Sequence, residues 1–557
     1  MRAAGSDILH MAMRAGCAWL FLWTGSAARA ATIVVTAPPF NAACDGVTND
    51  VLPVQAAINA LADGDTLLIP GLAAIGAPGL SISGLNNVVI MGTAPGAGFR
   101  ALTDNYPSGL TLGPTMVRIA NCTGLQVLHV LLDGDERDFT PICFGACTDC
   151  RMAWCEVRGL LAPPDPAAFR AVAGITSLGC VGLVLEYNHI HDLHTQGTDG
   201  PRGIWVGAVD TSWYDAHGVI RRNLIERTAA TGIACHTGFI TVDSNTVRTS
   251  RGAGIKVNTT QPGDSGDVRL RWNTLVDHDF HGIQLNSFGT ATTLRNVLIE
   301  GNRIDSARNS GIHVFDRVRG LMIRGNHFQR HSLNNCANGY NWGEGGIYLA
   351  AAARDVLIED NLFDPEGGPA CGQGVGIESF WYTSFPPRNI RICGNTFVDQ
   401  LYNGVRIRTT PGSQPIDSVR IADNAFVGMG HAGLEVIDGA GVIGTVWSCS
   451  NGFSGGAPAH LLTGFPSGQL ITGCEGCAFD LSTGTAAHLA IRAAPWPNPA
   501  TDELRLPEPV PYQLFDGQGR LVRGSASPAA HVGLEGLAPG TYVLEHAGKR
   551  SRVIVVR

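Results

Sequence analysis

The segment from Val297 to Phe315 contains a phrase that the chain repeats for most of its length. A short apolar-polar alternation runs into Asn302, and nine residues later a Gly-Ile pair at Gly311 opens a second alternating run. The equivalent asparagines are Asn188, Asn223, Asn245, Asn273, Asn302, Asn326, Asn361, Asn395 and Asn424, spaced 22 to 35 residues apart. The Gly-apolar pairs that follow start at Gly203, Gly232, Gly254, Gly282, Gly311, Gly346, Gly376, Gly404 and Gly433. The Asn-to-Gly distance is nine in six of the nine cases, so the three longer ones (15, 20 and 15) mark insertions at one corner of the repeat.

Period-two alternation means strands with one face inward and one outward. A unit of this length with three short strands can bury its apolar face only against a neighbouring unit. The fold expected is therefore all-β: a right-handed parallel β-helix. A leucine-rich solenoid would need a Leu spacing and a helical segment that are missing, and a propeller would need hairpin signals. Stacked about 4.8 Å apart, the asparagines are expected to join their amides in a ladder. They are also expected to take the left-handed conformation of the turn themselves. Two residues before the first seven of these asparagines stand Glu186, Arg221, Asp243, Arg271, Glu300, Arg324 and Glu359, alternating in sign. That stripe reads as an ion-pair column that fixes stacking register.

The two ends differ from the repeat. Residues 1–30 read as a secretory signal, with Arg14, an apolar run Ala15 to Trp23 and Ala28-Arg29-Ala30 as the cleavage site; Met11 or Met13 are alternative starts. Residues 40–70 carry Cys44-Asp-Gly-Val-Thr-Asn-Asp50, then an apolar-periodic stretch and Gly64-Asp-Thr-Leu-Leu-Ile-Pro70. Asp50 is the expected N-cap of a helix with Val54, Ile58 and Leu61 on its apolar face. This segment resembles the entry of the pectate-lyase-like superfamily, in which such a stretch leads into a helix covering the open end of the β-helix. From about residue 491, Trp496-Pro-Asn-Pro, Tyr512-Gln-Leu-Phe-Asp-Gly-Gln-Gly-Arg-Leu-Val522, Leu537-Ala-Pro-Gly-Thr-Tyr-Val-Leu544 and Arg552-Val-Ile-Val-Val556 read as short strands of a small β-sandwich. Their order resembles the C-terminal sorting domain of type IX secretion. The organisation expected is thus 1–30 signal, 31–490 β-helix and 491–557 sorting domain. The resemblance implies the type IX machinery as a partner and a secreted or cell-surface protein of a Bacteroidota-type bacterium.

Net charge −8 argues against nucleic acid, so a polyanion would need a local site. No segment after the signal is long and apolar enough to span a membrane, and a monomer is expected. Cys143, Cys147, Cys150 and Cys155 cluster; disulfides are the expectation in an exported chain and zinc the alternative. Cys336 and Cys371 lie ten residues past turn asparagines on adjacent coils and are placed to tie two inserted loops. Cys474 and Cys477, with Cys449, read as structural. Val88 to Met91 and Leu125 to Leu131 read as strands in the less regular early coils.

Chemistry is expected on the outer face of the Gly-apolar strands. The Gly+2 positions read Trp205, Ala234, Lys256, Gln284, His313, Tyr348, Glu378, Arg406 and Glu435. The Gly+4 positions include His236, Asn258, Asn286, Phe315, Phe380 and Arg408. Insertions carrying Tyr340, Trp342 and Glu344, and Trp381 and Tyr382 after Gly376, would wall this face. Aromatic rings beside charges suit pyranose rings and uronates. Lys256 is the one lysine of the solenoid, and a lysine can give up its proton where an arginine cannot. The leading expectation is a polysaccharide lyase cleaving an acidic polymer by β-elimination. Its catalytic candidates are Lys256, His313, Tyr348, Glu378 and Arg406. The candidate substrate contacts are Gln284, Asn286, Tyr340, Trp342, Glu344, Phe380, Trp381, Tyr382 and Arg408. Resemblance to β-helix lyases makes Ca²⁺ the cofactor to consider. The alternatives are a glycoside hydrolase using Glu378 with Glu344 or Asp279 with Asp316, and a non-catalytic glycan-binding or envelope protein. Asp277-His278-Asp279-Phe-His281 carries metal-ligand character.

Overall fold

A computed structural model describes residues 30–107, 113–164, 172–207, 215–259, 263–287, 292–338, 344–350, 353–366, 371–380, 386–474, 503–516, 520–538, 540–546 and 549–555. The signal segment before residue 30 and the boundary near 490 lie outside these residues, as do Tyr340, Trp342, Trp381 and Tyr382. The chain is a right-handed parallel β-helix. Among the described residues three parallel sheets of 16, 15 and 14 strands run its length. Each coil visits the first, second and third sheet in turn. One coil, for example, uses Thr292–Glu300, Arg303–Ala307 and Ile312–Val314.

The asparagines stand at the corner between the first and second sheets. Each side-chain oxygen accepts both the backbone N–H and the amide N–H of the Asn one coil earlier, at 2.9–3.0 Å. The expected ladder therefore forms, and it is longer than the sequence phrase. Asn451 adds a rung at one end, accepting from Asn424 at 3.0 Å. Cys155 adds one at the other: its N–H donates to Asn188 at 3.1 Å, and its sulfur accepts from Val130 N–H at 3.4 Å. The left-handed residue is not the Asn. It is the residue before it: Tyr187, Arg222, Ser244, Trp272, Gly301, Gly325, Asp360, Gly394, Asp423 and Ser450 all have positive φ. The Asn side chain thus serves hydrogen bonding alone, and its neighbour turns the corner.

The strand-opening glycines have a steric cause. A Cβ at Gly311 would lie 2.6 Å from the carbonyl oxygen of Gly346 and 2.7 Å from the Phe328 ring. That ring belongs to a stack inside the later coils, Phe328, Phe363, Phe397, Phe426 and Phe453, with centroids 4.6–5.0 Å apart and planes within 16° of parallel. The charge column is in register from Glu186 to Glu359. Its ion pairs include Glu186–Arg221 at 2.6 Å, Asp243–Arg271 at 3.2 Å and Glu300–Arg324 at 2.7 Å. Partly exposed pairs of this kind contribute about 0–1 kcal/mol each, so they specify register more than they stabilise.

At the N-terminal end the helix Val51–Asn59 buries Val51, Val54, Ala57 and Ile58, with Leu61 just beyond it. Asp50 does not cap it through its side chain. The carboxylate reaches back to the N–H groups of Ala43 and Cys44 at 2.7 and 2.8 Å, tying the entry loop instead. Val89–Gly92 forms the expected strand. The stretch Leu125 to Leu131 is two strands, Gln126–Leu128 and Leu131–Arg137, because His129 turns a corner with φ +54°.

The four early cysteines do not form one cluster. They occupy successive positions around a single coil and remain free and buried. Cys143 lies on the third sheet, Cys147 and Cys150 at the next corner and the start of the first, and Cys155 on the ladder. Neither the disulfides nor the zinc centre expected there is formed. Cys336–Cys371 is a disulfide, as the spacing indicates, and so is Cys449–Cys474. The C-terminal strands Glu503–Phe515, Leu521–Gly533, Gly540–His546 and Lys549–Val555 make one antiparallel sheet among the described residues, rather than the two layers of a sandwich. Leu504, Leu514, Val532 and Leu544 are buried on it.

His278 ends a second-sheet strand and lies wholly inside, with neither ring nitrogen partnered among the described residues. Burial pushes its pKa down to about 3. The unfolded chain then takes up a proton below about 6.5 that the folded chain refuses, so stability present above pH 6.5 is lost as pH falls. Denaturant unfolding should show His278→Leu losing stability less steeply than the parent between pH 6 and 4, by about 1.4 kcal/mol per pH unit; equal slopes would contradict the assignment. Asn302→Ala should lower stability by about 3 kcal/mol, because it strands buried N–H donors of Asn273.

Candidate functional site on the third sheet

Each third-sheet strand sends two alternate residues inward, with the residue between them and the one after turned outward. Ile255 and Val257, Ile283 and Leu285, Ile312 and Val314 are buried inside. The residues between them therefore form straight outer columns. Strand pairing places Trp205, Ala234, Lys256, Gln284, His313, Tyr348, Gly376, Arg406 and Glu435 in one column, one coil apart. This corrects the sequence phrase at one coil. Gly374-Val-Gly-Ile offers two possible starts, and pairing begins the strand's equivalent coil at Gly374. Gly376 then stands beside Tyr348, and Glu378 moves two residues along to pair with Ala350 and Arg408.

Much of each column is buried although it faces outward, while Lys256, His313 and Arg408 are half-buried and Phe315 is exposed. Trp205 is 1% exposed, Gln284 9%, Asn286 2%, Glu378 1% and Arg406 4%. Trp205 stacks flat on His236 at 4.7 Å, and the Arg202 guanidinium covers the indole at 4.5 Å. Burial, then the charge of Arg202, pulls the Lys256 ammonium below its ordinary range, while Asp199 opposes. No carboxylate lies within ion-pair distance of Lys256 among the described residues. Burial likewise lowers His236 to about 3, with Lys256 and Arg202 adding to the effect.

Two coils on, His313 Nδ1 lies 2.8 Å from His281 Nε2. Its ring sits 5.1 Å from that of Tyr348. The Tyr348 hydroxyl donates to Glu378 Oε2 at 2.6 Å, and Arg408 lies 3.3 Å from Glu378 Oε1. Burial raises the Glu378 carboxyl, and the Tyr348 hydrogen bond and the Arg408 charge oppose that. Arg406 is paired with Glu435 at 3.3 Å, and Glu435 also accepts from Asn403 at 2.9 Å. The two arginines expected to hold a substrate carboxylate thus face protein carboxylates.

Spacing decides which candidates can act together. Coils are about 4.8 Å apart. Lys256 and His313 are therefore about 10 Å apart at their Cα atoms with Gln284 between them, whereas Lys256 and Arg406 are about 24 Å apart. The five catalytic candidates do not converge on one bond. They split into a Lys256–Gln284–His313 segment and a Tyr348–Glu378–Arg408 segment that meet at the His313–Tyr348 contact, with Arg406 apart on Glu435. Asn286 lies beside the first and Phe380 beyond the end of the second.

Neither carboxylate pair considered for hydrolysis is assembled. Glu344 precedes the strand Gly345–Ala350, and Glu378 pairs with its last residue. About six residues of strand rise, on the order of 20 Å, separate them, beyond the 5 to 9.5 Å that paired glycosidase carboxyls need. Asp279 and Asp316 also flank opposite ends of the sheet, and Asp279 is held by Arg308 at 3.0 Å. The metal-like run diverges in the same way: His278 points into the core and His281 to His313. Among the described residues one group brings ligand atoms within 4.8 Å of one another, His327, Asp364 and Glu366 on the second sheet, away from this groove.

His281 is the site residue that the repeat phrase misses. It stands directly before Gly282, at a corner, and its role shows only through its contact with the next coil.

Two family descriptions match parts of the chain: "Right handed beta helix region" over residues 262–446 and "Periplasmic copper-binding protein (NosD)" over residues 174–345. No curated protein matches it. Among solved structures the Dettilon tailspike protein is 18% identical, covering 71% of this chain and 70% of that one, with a TM-score of 0.48. The GH87 α-1,3-glucanase of Streptomyces thermodiastaticus is 16% identical (80% and 68% covered, TM-score 0.41). The mannuronan C-5 epimerase AlgE4 A-module of Azotobacter vinelandii is 15% identical (79% and 100% covered, TM-score 0.40).

Proposed function

We propose that the protein is an exported carbohydrate-active enzyme that cleaves a uronate-containing polysaccharide by β-elimination across the third-sheet groove. The observation that carries this is Lys256: a half-buried lysine without a carboxylate partner among the described residues, its ammonium destabilised, one coil from Gln284 and two from His313. A lysine in that state is a usable base. A pyranose ring seated over Gln284 would have Lys256 on one side and His313 on the other. Lys256 Nζ takes the C5 proton, the electron pair forms the C4–C5 double bond, and the C4–oxygen bond breaks, the departing oxygen taking a proton from water. The separation of Glu344 from Glu378 favours elimination over hydrolysis. Glu344 itself gives the hydrolase reading its best support, because burial raises its carboxyl to about 7, where it could serve as a general acid.

The disulfides suit an oxidising compartment. The last 67 residues, by their sequence likeness, would address the chain to type IX export, and residues 1–30 would carry it across the inner membrane.

Pectate, alginate and glycosaminoglycans incubated with the mature chain should give a rise near ~235 nm, from the unsaturated uronate that elimination leaves, together with new reducing ends. Lys256→Ala should lower that rate by about 10²–10⁴-fold, and Lys256→Arg should not restore it. The rate should climb with pH as Lys256 loses its proton, reaching its plateau below the ordinary lysine range. Reducing ends without absorbance would overturn elimination in favour of hydrolysis.

A further inference from the structure

The His281–His313 pair carries more information than proximity. The backbone N–H of Ser310 donates to His281 Nδ1 at 3.2 Å. A nitrogen that accepts holds no proton, so the proton of neutral His281 is on Nε2. That Nε2 lies 2.8 Å from His313 Nδ1 and must donate to it. His313 Nδ1 is then the acceptor, and its own proton is on Nε2. That N–H finds no partner among the described residues, although the side chain is largely buried. A buried donor left so is unfavourable by itself and calls for an acceptor.

We propose that His281 is a positioning residue that locks His313 as the Nε2–H tautomer, a neutral donor left for an anionic oxygen of a bound sugar, which would have to reach a nitrogen that is enclosed in the sugar-free protein. The ligand half of this rests on the uronate reading; the tautomer half rests on the hydrogen bonds alone. A neutral imidazole N–H stabilises an enolate oxygen by hydrogen bonding without giving up its proton. This assigns His313 to the substrate carboxylate and leaves proton removal to Lys256.

The surroundings keep both rings neutral. Facing His313 are Gln284 on the preceding coil, Tyr348 on the next and Phe315 on its own strand, at 5.7 Å between centroids. Phe280 lies against His281 at 4.1 Å, and the positive charge of Lys256 bears on the same ring. No carboxylate is within ion-pair distance of either histidine among the described residues. Burial takes His313 down to about 4 and His281 well below its ordinary range.

The test is long-range ¹H–¹⁵N spectroscopy of the full chain labelled at histidine, with His313 assigned through His313→Gln. The expected spectrum has a protonated Nε2 and an unprotonated Nδ1 for His313, unchanged from pH 8 to pH 5. An Nδ1–H form, or a titration near 6.5, overturns the lock, and both are read on the parent chain once His313 is assigned. His281→Gln, whose amide can accept from Ser310 and donate to His313, should keep the tautomer. His281→Leu should yield mixed tautomers and a titration shifted upward. Turnover should fall about 10²-fold in His281→Leu and recover in His281→Gln; identical tautomers in both variants would refute a positioning role. Galacturonate, glucuronate and mannuronate should be added in turn, with galactose as the neutral control. A saturable shift of the Nε2 signal with at least one uronate and not with galactose supports the ligand, and no shift with any uronate overturns it. A locked tautomer in a protein that cleaves no uronate polymer would leave the lock standing and remove the lyase reading.

Discussion

Vertical stacking at a fixed rise is the constraint on which everything else depends. Each coil is too short to bury its own apolar residues, so it is stable only against its neighbours. The ladder at the first corner enforces that contact: the oxygen of Asn188 takes one hydrogen bond from Cys155, and every Asn oxygen from Asn223 to Asn451 takes two from the coil before it. Because the Asn donates onward as well as accepting, the loss of one rung affects both neighbours. The strand-opening glycines and the phenylalanine stack follow from the same rise, since backbone and ring must both fit within one coil spacing.

The same geometry makes a groove without any dedicated scaffold. Identical strand positions on successive coils become a column, so the chemistry of the third-sheet face is set by what stands at two positions per coil. Low exposure then changes what those groups are. Lysine and histidine hold their protons less tightly, and Glu378 holds one more tightly even though Tyr348 and Arg408 oppose that. A site of neutral imidazoles beside a destabilised ammonium results where the composition suggests plain charges. Spacing along the column also separates roles, because residues more than about two coils apart cannot touch one sugar ring.

The fold was legible because its signals are periodic. Alternation, the Asn spacing and the sign-alternating stripe each repeat many times, and each corresponds to a feature of the structure. What was not legible is aperiodic. The start of one coil at Gly374 rather than Gly376 depends on which of two equivalent pairs meets Tyr348, and only the neighbouring coil decides it. Of the cysteines near residue 150 only Cys147 and Cys150 touch, while Cys143 and Cys155 lie elsewhere around the coil, so the sequence cluster is not a cluster of four in space. Cys155 plays the part of an Asn, an exchange of residue type that no pattern of asparagines reveals. His281 acts through a residue of the following coil, and its sequence neighbours carry no trace of that.

The account's central claim is that a uronate binds over Gln284, between Lys256 and His313. A crystal structure of the Lys256→Ala variant with a uronate oligosaccharide tests it most directly. The predicted result is a sugar ring across that segment, its carboxylate within hydrogen-bonding distance of His313 Nε2 and its C5 facing the place of the missing amine. A sugar seated on another sheet, or on the Tyr348–Arg408 segment with its carboxylate turned from His313, would contradict it.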